Sequence, residues 1–580
     1  MKNRVSRAEF FPSFNYPLLL APVLFGLAMV ICWGVDTPNG DDREIIFLME
    51  KAAGGGLTVS DLAAQHNEHR IFLPRLVFML IGWLTHLNIR ALMFASWLVA
   101  TATYLVYLIW LRRAADVTIS GGSDQAWRLT LGVGVGFCVF NVVQVENILW
   151  GFQLAWYLLV FFTALSFYWF HRYCAGGQNF MLALTVTSGV AAAWCSAHGL
   201  MTLPVVFCVM ILPGWGGVKI RLHAPLTVLA VAAAMIVLYL HGYVKPAHHP
   251  PLFGNTPGNI VNFFLSTLAS PFCAGENWMS TALGLTVLCA GTAGIGWLFF
   301  KKQLAAYVFP LCLFVFAVGF CLLITAGRSG FGMWQAFASR YTTFASLAVI
   351  ALALAALPLV KTITIWRPGK MTFISVAFAL LALLALQNLG ITKLKQHHRL
   401  RQYDRLLAMD YKNIPANVFK AANMFHTDTR YLEILERRRW SLFHWNSPSA
   451  PRPAEMQFEA VDIERRKQAD GRMIWQCGTR EPSLIMRLGA PLCLPPALSR
   501  AQIVVTFQND IAGTMEFSCD YGAGFYETVS VYCPRTFDGA DWVALPINIP
   551  SGGAVIRALR LSPPKGARFA ILNLQVKPVR

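Results

Sequence analysis

An acidic cluster stands directly after the first hydrophobic segment, where the chain reads Gly40-Asp41-Asp42-Arg43-Glu44. A carboxylate at the mouth of a membrane-embedded core is costly unless it is paired or does chemistry. One chemistry open to it is general base catalysis, in which it takes the proton from an acceptor that attacks a sugar carbon. Adjacent aspartates point in different directions, so we expect one of Asp41 and Asp42 to be catalytic. The alternative is that they only begin the helix predicted for 43–53.

A second polar run, His66-Asn67-Glu68-His69-Arg70, follows in the same loop. Its order differs from the HExxH pattern of zinc proteases, which argues against a zinc hydrolase. We predict instead that four of its side chains contact the phosphate or sugar of a substrate: His66, Glu68, His69 and Arg70. A solvated loop face is the alternative.

A third polar group, Gln144-Val145-Glu146-Asn147, falls at the end of a predicted helical hairpin. We predict that Glu146 assists catalysis and that Gln144 and Asn147 contact the substrate. Carboxylate oxygens also suit Mg²⁺ or Mn²⁺, and Asp42 and Glu146 are the candidate ligands for such an ion. The alternative is a polar turn beside interfacial aromatic residues.

Cationic side chains mark two further segments. Arg328 lies in Gly327-Arg328-Ser329-Gly330, and Arg340 and Tyr341 follow Ser339. The planar fork of arginine suits a phosphate group, so we predict phosphate or substrate contacts for Arg328, Arg340 and Tyr341. Lys245, in the segment 241–280, is predicted to contact substrate from a mobile covering loop. Snorkelling of arginine at helix ends is the alternative.

The elements that position these groups are membrane helices. The chain has 580 residues, 56% of them hydrophobic and 13% charged, which indicates a polytopic membrane protein. We predict about eleven spans, near 17–34, 91–111, 129–145, 152–170, 180–195, 199–213, 226–242, 280–300, 305–325, 341–360 and 371–388.

Basic residues set the predicted orientation. Lys2, Arg4 and Arg7 indicate a cytoplasmic N-terminus, and later basic loops alternate with the polar segments described above. These polar segments therefore share the outer face; the resemblance described below implies that the membrane is the bacterial inner membrane. The segment 71–86 is apolar but contains Pro74 and Arg75, so we interpret it as a juxtamembrane helix within a first outer loop of 35–90. A genuine twelfth span would invert every later loop.

The texture changes after the last predicted span. We predict a membrane domain over 1–390, a helical connector over 391–454 and an antiparallel, jelly-roll-like β-sandwich over 455–580, outside the cytoplasm. The four cysteines of this tail indicate two disulfides. Three pairings are possible, and we predict the sequential one, Cys477–Cys493 and Cys519–Cys533. The net charge of +19 reflects lipid and phosphate contacts and not nucleic acid, because no compact basic module appears.

This layout resembles the GT-C superfamily of membrane glycosyltransferases, which includes protein O-mannosyltransferases and aminoarabinose transferases. The resemblance covers roughly residues 10–390, with Asp41 or Asp42 at the first acidic position and Glu146 at the second. The runs QVENILWGFQ and SRYTTF also resemble bacterial O-antigen-modifying glucosyltransferases. The resemblance implies a sugar donor carried on polyprenyl phosphate and transfer on the periplasmic face. No WWD signature is present, which argues against the oligosaccharyltransferase branch.

The sequence therefore predicts a glycosyltransferase, with inversion as the simplest mechanism. Its predicted partners are the bilayer, a polyprenyl-phosphate-linked sugar and a glycan or lipid acceptor. Two alternatives stay open: a transporter or flippase of lipid-linked saccharide, and a non-catalytic subunit of polysaccharide assembly. A transporter would be expected to bury charged residues within its helices and to show an internal repeat.

Overall fold

The computed structural model describes residues 16–118, 124–212, 220–247, 249–273, 275–302, 304–356, 390–398, 400–402, 404–405, 408–409, 411–413, 429–445, 457–467, 473–494, 500–520, 525–533, 541–548 and 554–578. The chain divides into two units. The first comprises Met1–Gly34 and Phe47–Leu394, and the second comprises Val35–Ile46 and Lys395–Arg580. The start of the predicted first outer loop thus groups with the C-terminal residues and not with the helices that follow it.

The first unit is helical because most of its residues are apolar and few charges interrupt them. The helices of the chain up to residue 355 are α1 (Tyr16–Trp33), α2 (Asp42–Ala53), α3 (Val59–Ala63), α4 (Phe72–Thr85), α5 (Ile89–Thr118), α6 (Asp124–Val139), α7 (Val145–Leu149), α8 (Leu154–Gly176), α9 (Asn179–Ala193), α10 (Thr202–Met210), α11 (His223–Leu240), α12 (Pro257–Ala269), α13 (Trp278–Phe300), α14 (Leu304–Arg328) and α15 (Ser339–Ala355).

Six helical segments among the described residues are long and apolar enough to cross a membrane, so the protein is a membrane protein. They are Ile89–Ala114, Arg128–Leu149, Gly151–Gly176, His223–Leu240, Trp278–Phe300 and Leu304–Phe331. Five shorter apolar helices accompany them: Pro17–Trp33, Phe72–Thr85, Asn179–Ala193, Ala197–Met210 and Ser339–Ala355. The predicted span at 371–388 lies outside the described residues, and the total of eleven stays a prediction.

Helix α4 covers most of the segment that we interpret as juxtamembrane. Its 14 residues reach about 21 Å, which is short of the roughly 30 Å of hydrocarbon in a bilayer. The guanidinium of Arg75 donates from Nη1 to the carbonyls of Leu62 and Ala64, at 2.8 and 2.6 Å. Arg75 is buried, and its guanidinium binds carbonyl oxygens at the C-terminal end of α3.

The segment 241–280 is more ordered than predicted. We expected a mobile loop, but the structure contains α12, which begins at Pro257 after Thr256 and buries Phe263 and Leu268. Proline at the first helical position is favoured because its missing N–H would have no partner there. This helix was not predicted within the segment, and the mobility of the segment stays a prediction.

Contacts in the first unit separate two ends of the helices. The segments predicted to lie outside bond to one another: Gln65 with Val244 in both directions, at 2.6 and 3.0 Å, and Phe253 N–H with the Ala326 carbonyl at 2.8 Å. At the opposite ends of the helices, near the basic loops, Trp110 packs against His171 and Tyr307. Which of these two ends faces the periplasm stays a prediction.

The second unit contains the short helix α16 (Arg430–Arg438) and two five-stranded antiparallel sheets. A two-stranded hairpin in the first unit, β1 (Gln65–His66) and β2 (His69–Arg70), precedes them in the numbering. The sheet strands are β3 (Gln457–Val461), β4 (Ile463–Lys467), β5 (Met473–Cys477), β6 (Ser483–Leu494), β7 (Arg500–Asn509), β8 (Gly513–Asp520), β9 (Phe525–Cys533), β10 (Asp541–Asn548), β11 (Ala554–Ser562) and β12 (Arg568–Pro578).

The strand orders are β10-β7-β12-β5-β4 and β3-β6-β11-β8-β9, so the chain passes repeatedly from one sheet to the other. Alternate residues of β6 and β8 are buried, with Leu484 and Met486 on one strand and Met515 and Phe517 on the other. This alternation is typical of sheets that bury one face. It agrees with strands of the kind that the sequence predicted.

The two predicted disulfides are not supported by these sheets. The buried Cys477 carries a free thiol, which excludes its bond to Cys493. In the β8–β9 hairpin Cys519 lies opposite Tyr526, whereas Cys533 lies opposite Gly513. Six residues of strand separate positions 513 and 519, or about 20 Å, and a disulfide needs Cα atoms within about 7 Å. An even number of cysteines does not by itself identify which of them pair.

Candidate functional site

Glu68 lies at the centre of a charged cluster in the first unit. The β1–β2 hairpin presents it at a tight turn, in which Asn67 takes a positive φ of 48° that asparagine tolerates better than most residues. The Glu68 carboxylate pairs through Oε1 with Nη2 of Arg328. Its Oε1 also lies 3.5 Å from Nε2 of His69, and its Oε2 lies 3.5 Å from Nε2 of His249.

Arg328 closes this cluster from the end of α14. Its Nη1 lies 3.3 Å from Nε2 of His249, and its side chain is 18% exposed. We call Glu68, His69, His249 and Arg328 the hairpin cluster. It joins a loop, a hairpin and a helix end that are up to 260 residues apart in the chain. The structure thus brings Arg328 to Glu68 and His69, which the sequence predicted as members of one polar run, and it adds His249.

The surroundings of Glu68 favour its ionised form. Burial raises its pKa, but the neighbouring His69, Arg328 and His249 outweigh burial and lower the pKa to about 2, from an ordinary value of 4.5. A carboxylate with this pKa is a weak base at neutral pH. Glu68 is therefore suited to hold Arg328 in place and not to remove a proton from a substrate.

His69 is fixed from its other side by the turn before α10. The amide N–H of Ala197 donates to Nδ1 of His69 at 3.4 Å, and the Ser196 hydroxyl lies 3.2 Å from the same atom. Because Nδ1 accepts these bonds, a neutral ring carries its proton on Nε2, the atom that faces Glu68. His198 and Trp156 pack against the ring, with centroids 5.4 and 5.8 Å away.

Arg70 is not available to a substrate, contrary to the prediction of a phosphate or sugar contact. Its Nε, Nη1 and Nη2 atoms donate to the carbonyls of Tyr239, Ala63 and His241, at 2.9, 2.9 and 2.6 Å. Its backbone N–H donates to the Tyr239 hydroxyl at 2.6 Å. Arg70 is therefore a clamp between the hairpin and the end of α11, because carbonyl oxygens occupy all three of its guanidinium nitrogens.

Two other predicted contacts lie at the margin of the hairpin cluster. The His66 ring packs on Phe152 with centroids 5.1 Å apart, and Nδ2 of Asn67 lies 3.3 Å from its Nε2. Lys245 is exposed, and its Nζ donates to the carbonyl of Pro250 at 2.9 Å. Neither side chain bonds to Glu68 or Arg328 in the contacts described, and their substrate roles stay predictions.

A second cluster, which we call the Glu146 cluster, joins α7 to the start of α15. The Glu146 N–H donates to the Ser339 hydroxyl at 3.0 Å, and the Arg340 N–H donates to Oε2 of Glu146 at 3.2 Å. The Arg340 guanidinium lies 4.0 Å from the same oxygen and 3.4 Å from Oε1 of Gln335. Both charged side chains are about one third exposed, so they are accessible to a ligand.

Three predicted contact residues support this cluster from within. Gln144 and Asn147 are fully buried, and Asn147 donates to the Arg340 carbonyl at 2.9 Å and to the Thr343 hydroxyl at 2.6 Å. The Thr343 hydroxyl in turn donates to Gln144. Tyr341 is 2% exposed. These side chains bond or pack within the protein, so the prediction that they touch substrate is corrected to a supporting role.

Lys393 is a neighbour of this cluster that the sequence analysis assigned to the basic connector. Burial lowers the pKa of its ammonium group, while the charge of Glu146 opposes that shift. Its place in the run of basic residues after 389 gave no signal of this proximity. Ser196 and His249 were likewise not among the predicted site residues, because a short turn and a loop histidine have no distinctive spacing.

The first acidic cluster belongs to the second unit. Asp42 is fully buried, and its Oδ2 accepts the N–H of Asn39 at 2.8 Å. This bond closes the turn that begins α2, which is the helix-start interpretation of the sequence. Asp41 is half-buried and precedes the helix. The catalytic role expected of one of the two aspartates stays a prediction.

No group of three or more His, Cys, Asp or Glu residues is arranged to hold a metal ion in the described part of the chain. The candidate ligands Asp42 and Glu146 belong to different units, and a metal-binding role for them stays a prediction.

No protein-family model and no curated protein matches the chain. Among solved structures, the arabinofuranosyltransferase AftD from Mycobacteria aligns with 98% of this chain at 10% identity and a TM-score of 0.26. The alignment spans 61% of the length of AftD. With a TM-score of this size, it defines neither the fold nor the activity of this chain.

Two solved carbohydrate-binding modules align with about a fifth of the chain. The C-terminal CBM6 of LamC from Zobellia galactanivorans aligns with 21% of this chain and 98% of its own length, at 11% identity and a TM-score of 0.16. TmCBM61, solved with a galactotriose, aligns with 22% of this chain and 92% of its own length, at the same identity and TM-score. Neither alignment carries an argument about ligands.

Proposed function

We propose that this chain is an integral membrane glycosyltransferase that moves a sugar from a polyprenyl-phosphate donor to a glycan, lipid or other acceptor. The observation that carries the proposal is the hairpin cluster. It places Arg328, held by Glu68 and beside two histidines, at the end of the apolar helix α14. A phosphate whose lipid tail lies in the bilayer has its charge near the ends of the membrane-spanning helices, where Arg328 lies on α14.

The proposed reaction is a single displacement at the anomeric carbon. A base removes the proton of the acceptor, the acceptor oxygen or nitrogen bonds to the anomeric carbon, and the bond from that carbon to the phosphate oxygen breaks. The electron pair of this bond stays on the polyprenyl phosphate, whose charge Arg328 neutralises. Attack from the opposite face inverts the anomeric configuration.

Asp41 and Glu146 are our candidates for the base, because both are accessible carboxylates. Glu68 is a poor candidate since its pKa is about 2. Asp42 is a poor candidate because it is buried and closes the turn of α2. We assign the base to Asp41 and a substrate-orienting role to Glu146.

The phosphate role is tested with Arg328→Gln. Membranes that carry this variant are given a lipid extract with radiolabelled polyprenyl-phosphate sugars, and label transferred to acceptor is measured. We expect transfer to fall at least about 100-fold, since a charge-assisted contact to a transition state contributes about 3 kcal/mol. Arg466→Gln is the matched control, because Arg466 is 69% exposed in the second unit. Wild-type transfer by Arg328→Gln would refute the phosphate role.

The base is tested in the same assay with Asp41→Asn and Asp42→Asn. We expect Asp41→Asn to lower the rate by about 100-fold or more, as loss of a general base typically does. Asp42→Asn is expected to lower the amount of folded protein, with a smaller effect on the rate per folded molecule. The opposite ranking of the two variants would move the base to Asp42.

A further inference from the structure

A cavity lies within the first unit, among helices α5, α6, α8 and α15. It leaves about 20 Å³ open to the centre of a water molecule. Roughly 10–15 Å³ of such space is enough for one water. Most of the lining surface is apolar, but six residues with a hydroxyl or amide group line it: Thr103, Tyr107, Gln144, Tyr157, Thr343 and Ser346.

Two of these side chains have no protein partner for their hydroxyl groups. Tyr107 is 1% exposed and Ser346 is 2% exposed. Neither hydroxyl bonds to any residue in the described part of the chain. A buried hydroxyl without a hydrogen bond destabilises the folded state, so such groups in native proteins usually bond to water where space allows.

Two further lining residues, Gln144 and Thr343, supply acceptors. Oε1 of Gln144 accepts the Thr343 hydroxyl, and a carbonyl oxygen has a second lone pair. Thr343 also accepts from Asn147, which bonds to the Arg340 carbonyl. The cavity therefore adjoins the hydrogen-bond network beneath the Glu146 cluster.

We propose that this cavity is a water-binding site. Ordered water there bonds to Tyr107 and Ser346 and donates a third bond to Oε1 of Gln144, which gives it the two to four polar partners that buried water needs. It links the middle of α5 to α15 and stabilises the segment that carries Glu146 and Arg340. The proposal does not depend on the proposed glycosyltransferase activity.

A double-mutant cycle in thermal stability tests this site. Tyr107→Phe, Ser346→Ala and the double variant are purified in detergent, and their Tm values are compared with that of the full-length wild type. If water bridges the two hydroxyls, each single variant lowers Tm by about 2 °C. The double variant then loses less than the sum, because the first substitution already weakens the shared water.

Ser270→Ala is the matched control. The Ser270 hydroxyl is 1% exposed and has no partner among the described residues, but it does not line the cavity. Removing an unsatisfied hydroxyl relieves a cost, so we expect Tm to stay or rise. If Tyr107→Phe or Ser346→Ala behaves like this control, or if their losses add in full, the water site is refuted.

Discussion

Glu68 shows how a carboxylate in a candidate site can act through charge and not through proton transfer. It lies among Arg328, His69 and His249, and this environment keeps it ionised. Arg328 in turn keeps a fixed geometry at the helix end. If Arg328 binds phosphate as we propose, its guanidinium is already oriented, so little side-chain entropy is lost on binding.

The pH dependence of stability follows from the pKa of Glu68. Because folding lowers this pKa from 4.5 to about 2, the ionised carboxylate stabilises the folded protein above about pH 4.5. That stabilisation, of order 2–3 kcal/mol, is lost as the pH falls from about 4.5 towards 2. We expect Glu68→Gln to lower Tm at pH 7 and the difference from wild type to shrink in acid.

Thermal unfolding in detergent between pH 7 and pH 3 measures this difference. Glu464→Gln is the control, because Glu464 is 72% exposed and pairs only with the exposed Arg466 in the contacts described. Its Tm should stay within about 1 °C of wild type throughout. A deficit of Glu68→Gln that is the same at every pH would show that charge is not its cause.

Part of the site was accessible to sequence reasoning at the scale of single residues. Glu68, His69 and Arg328 were flagged because charged groups beside apolar segments are costly. Their contact was not predictable, because 260 residues separate Glu68 from Arg328. Arg70 was misassigned for a related reason: a guanidinium looks the same in sequence whether it binds phosphate or three carbonyl oxygens.

At the scale of elements, the β1–β2 hairpin depends on the Arg70 clamp. The clamp joins the hairpin to Tyr239 and His241 at the end of α11. Arg70→Lys keeps the charge but cannot reproduce three bonds in fixed directions. We expect the free energy of unfolding to fall by about 2–4 kcal/mol, since each lost hydrogen bond from a charged donor contributes about 1–3 kcal/mol.

The measurement is Tm of the Arg70→Lys protein, together with sugar transfer per folded molecule. We expect a lower Tm and a donor KM close to that of wild type. Arg487→Lys serves as the control, because Arg487 pairs with Glu459 on an exposed face of the second unit. A raised KM with an unchanged Tm would instead restore the original phosphate role of Arg70.

Helices were predictable from the sequence where apolar runs are long. They were less predictable where tertiary packing determines whether a short segment is helical. The predicted pieces 43–53 and 71–86 correspond to α2 and α4. The hairpin of two-residue strands escaped notice, because such short strands have no period to detect. Helix α12 was missed because its apolar face is short and sits inside a segment rich in proline and glycine.

At the scale of the whole molecule, sidedness links the sequence to the site. Five segments that the charge rule places outside contact one another through the hairpin, the Ser196 turn, α7 and the ends of α14 and α15. If the loops alternated differently between the two sides of the membrane, these polar groups would lie at both ends of the helices. Their convergence at one end of the helices is what this alternation requires, and the side of the membrane on which they lie stays a prediction.

Cysteine labelling in intact cells tests this arrangement and the status of α4 together. Lys245→Cys and Trp334→Cys place thiols on the predicted outer face, and Lys301→Cys places one on the predicted inner face, all at exposed positions. If α4 lies in the interface, an impermeant maleimide labels the first two from outside and the third only after lysis. If α4 spans the membrane and the N-terminus stays inside, the maleimide instead labels Lys301→Cys from outside, and it labels Lys245→Cys and Trp334→Cys only after lysis. A thiol at Lys565 in the second unit then reports the side of the C-terminal domain, which we expect to be labelled from outside.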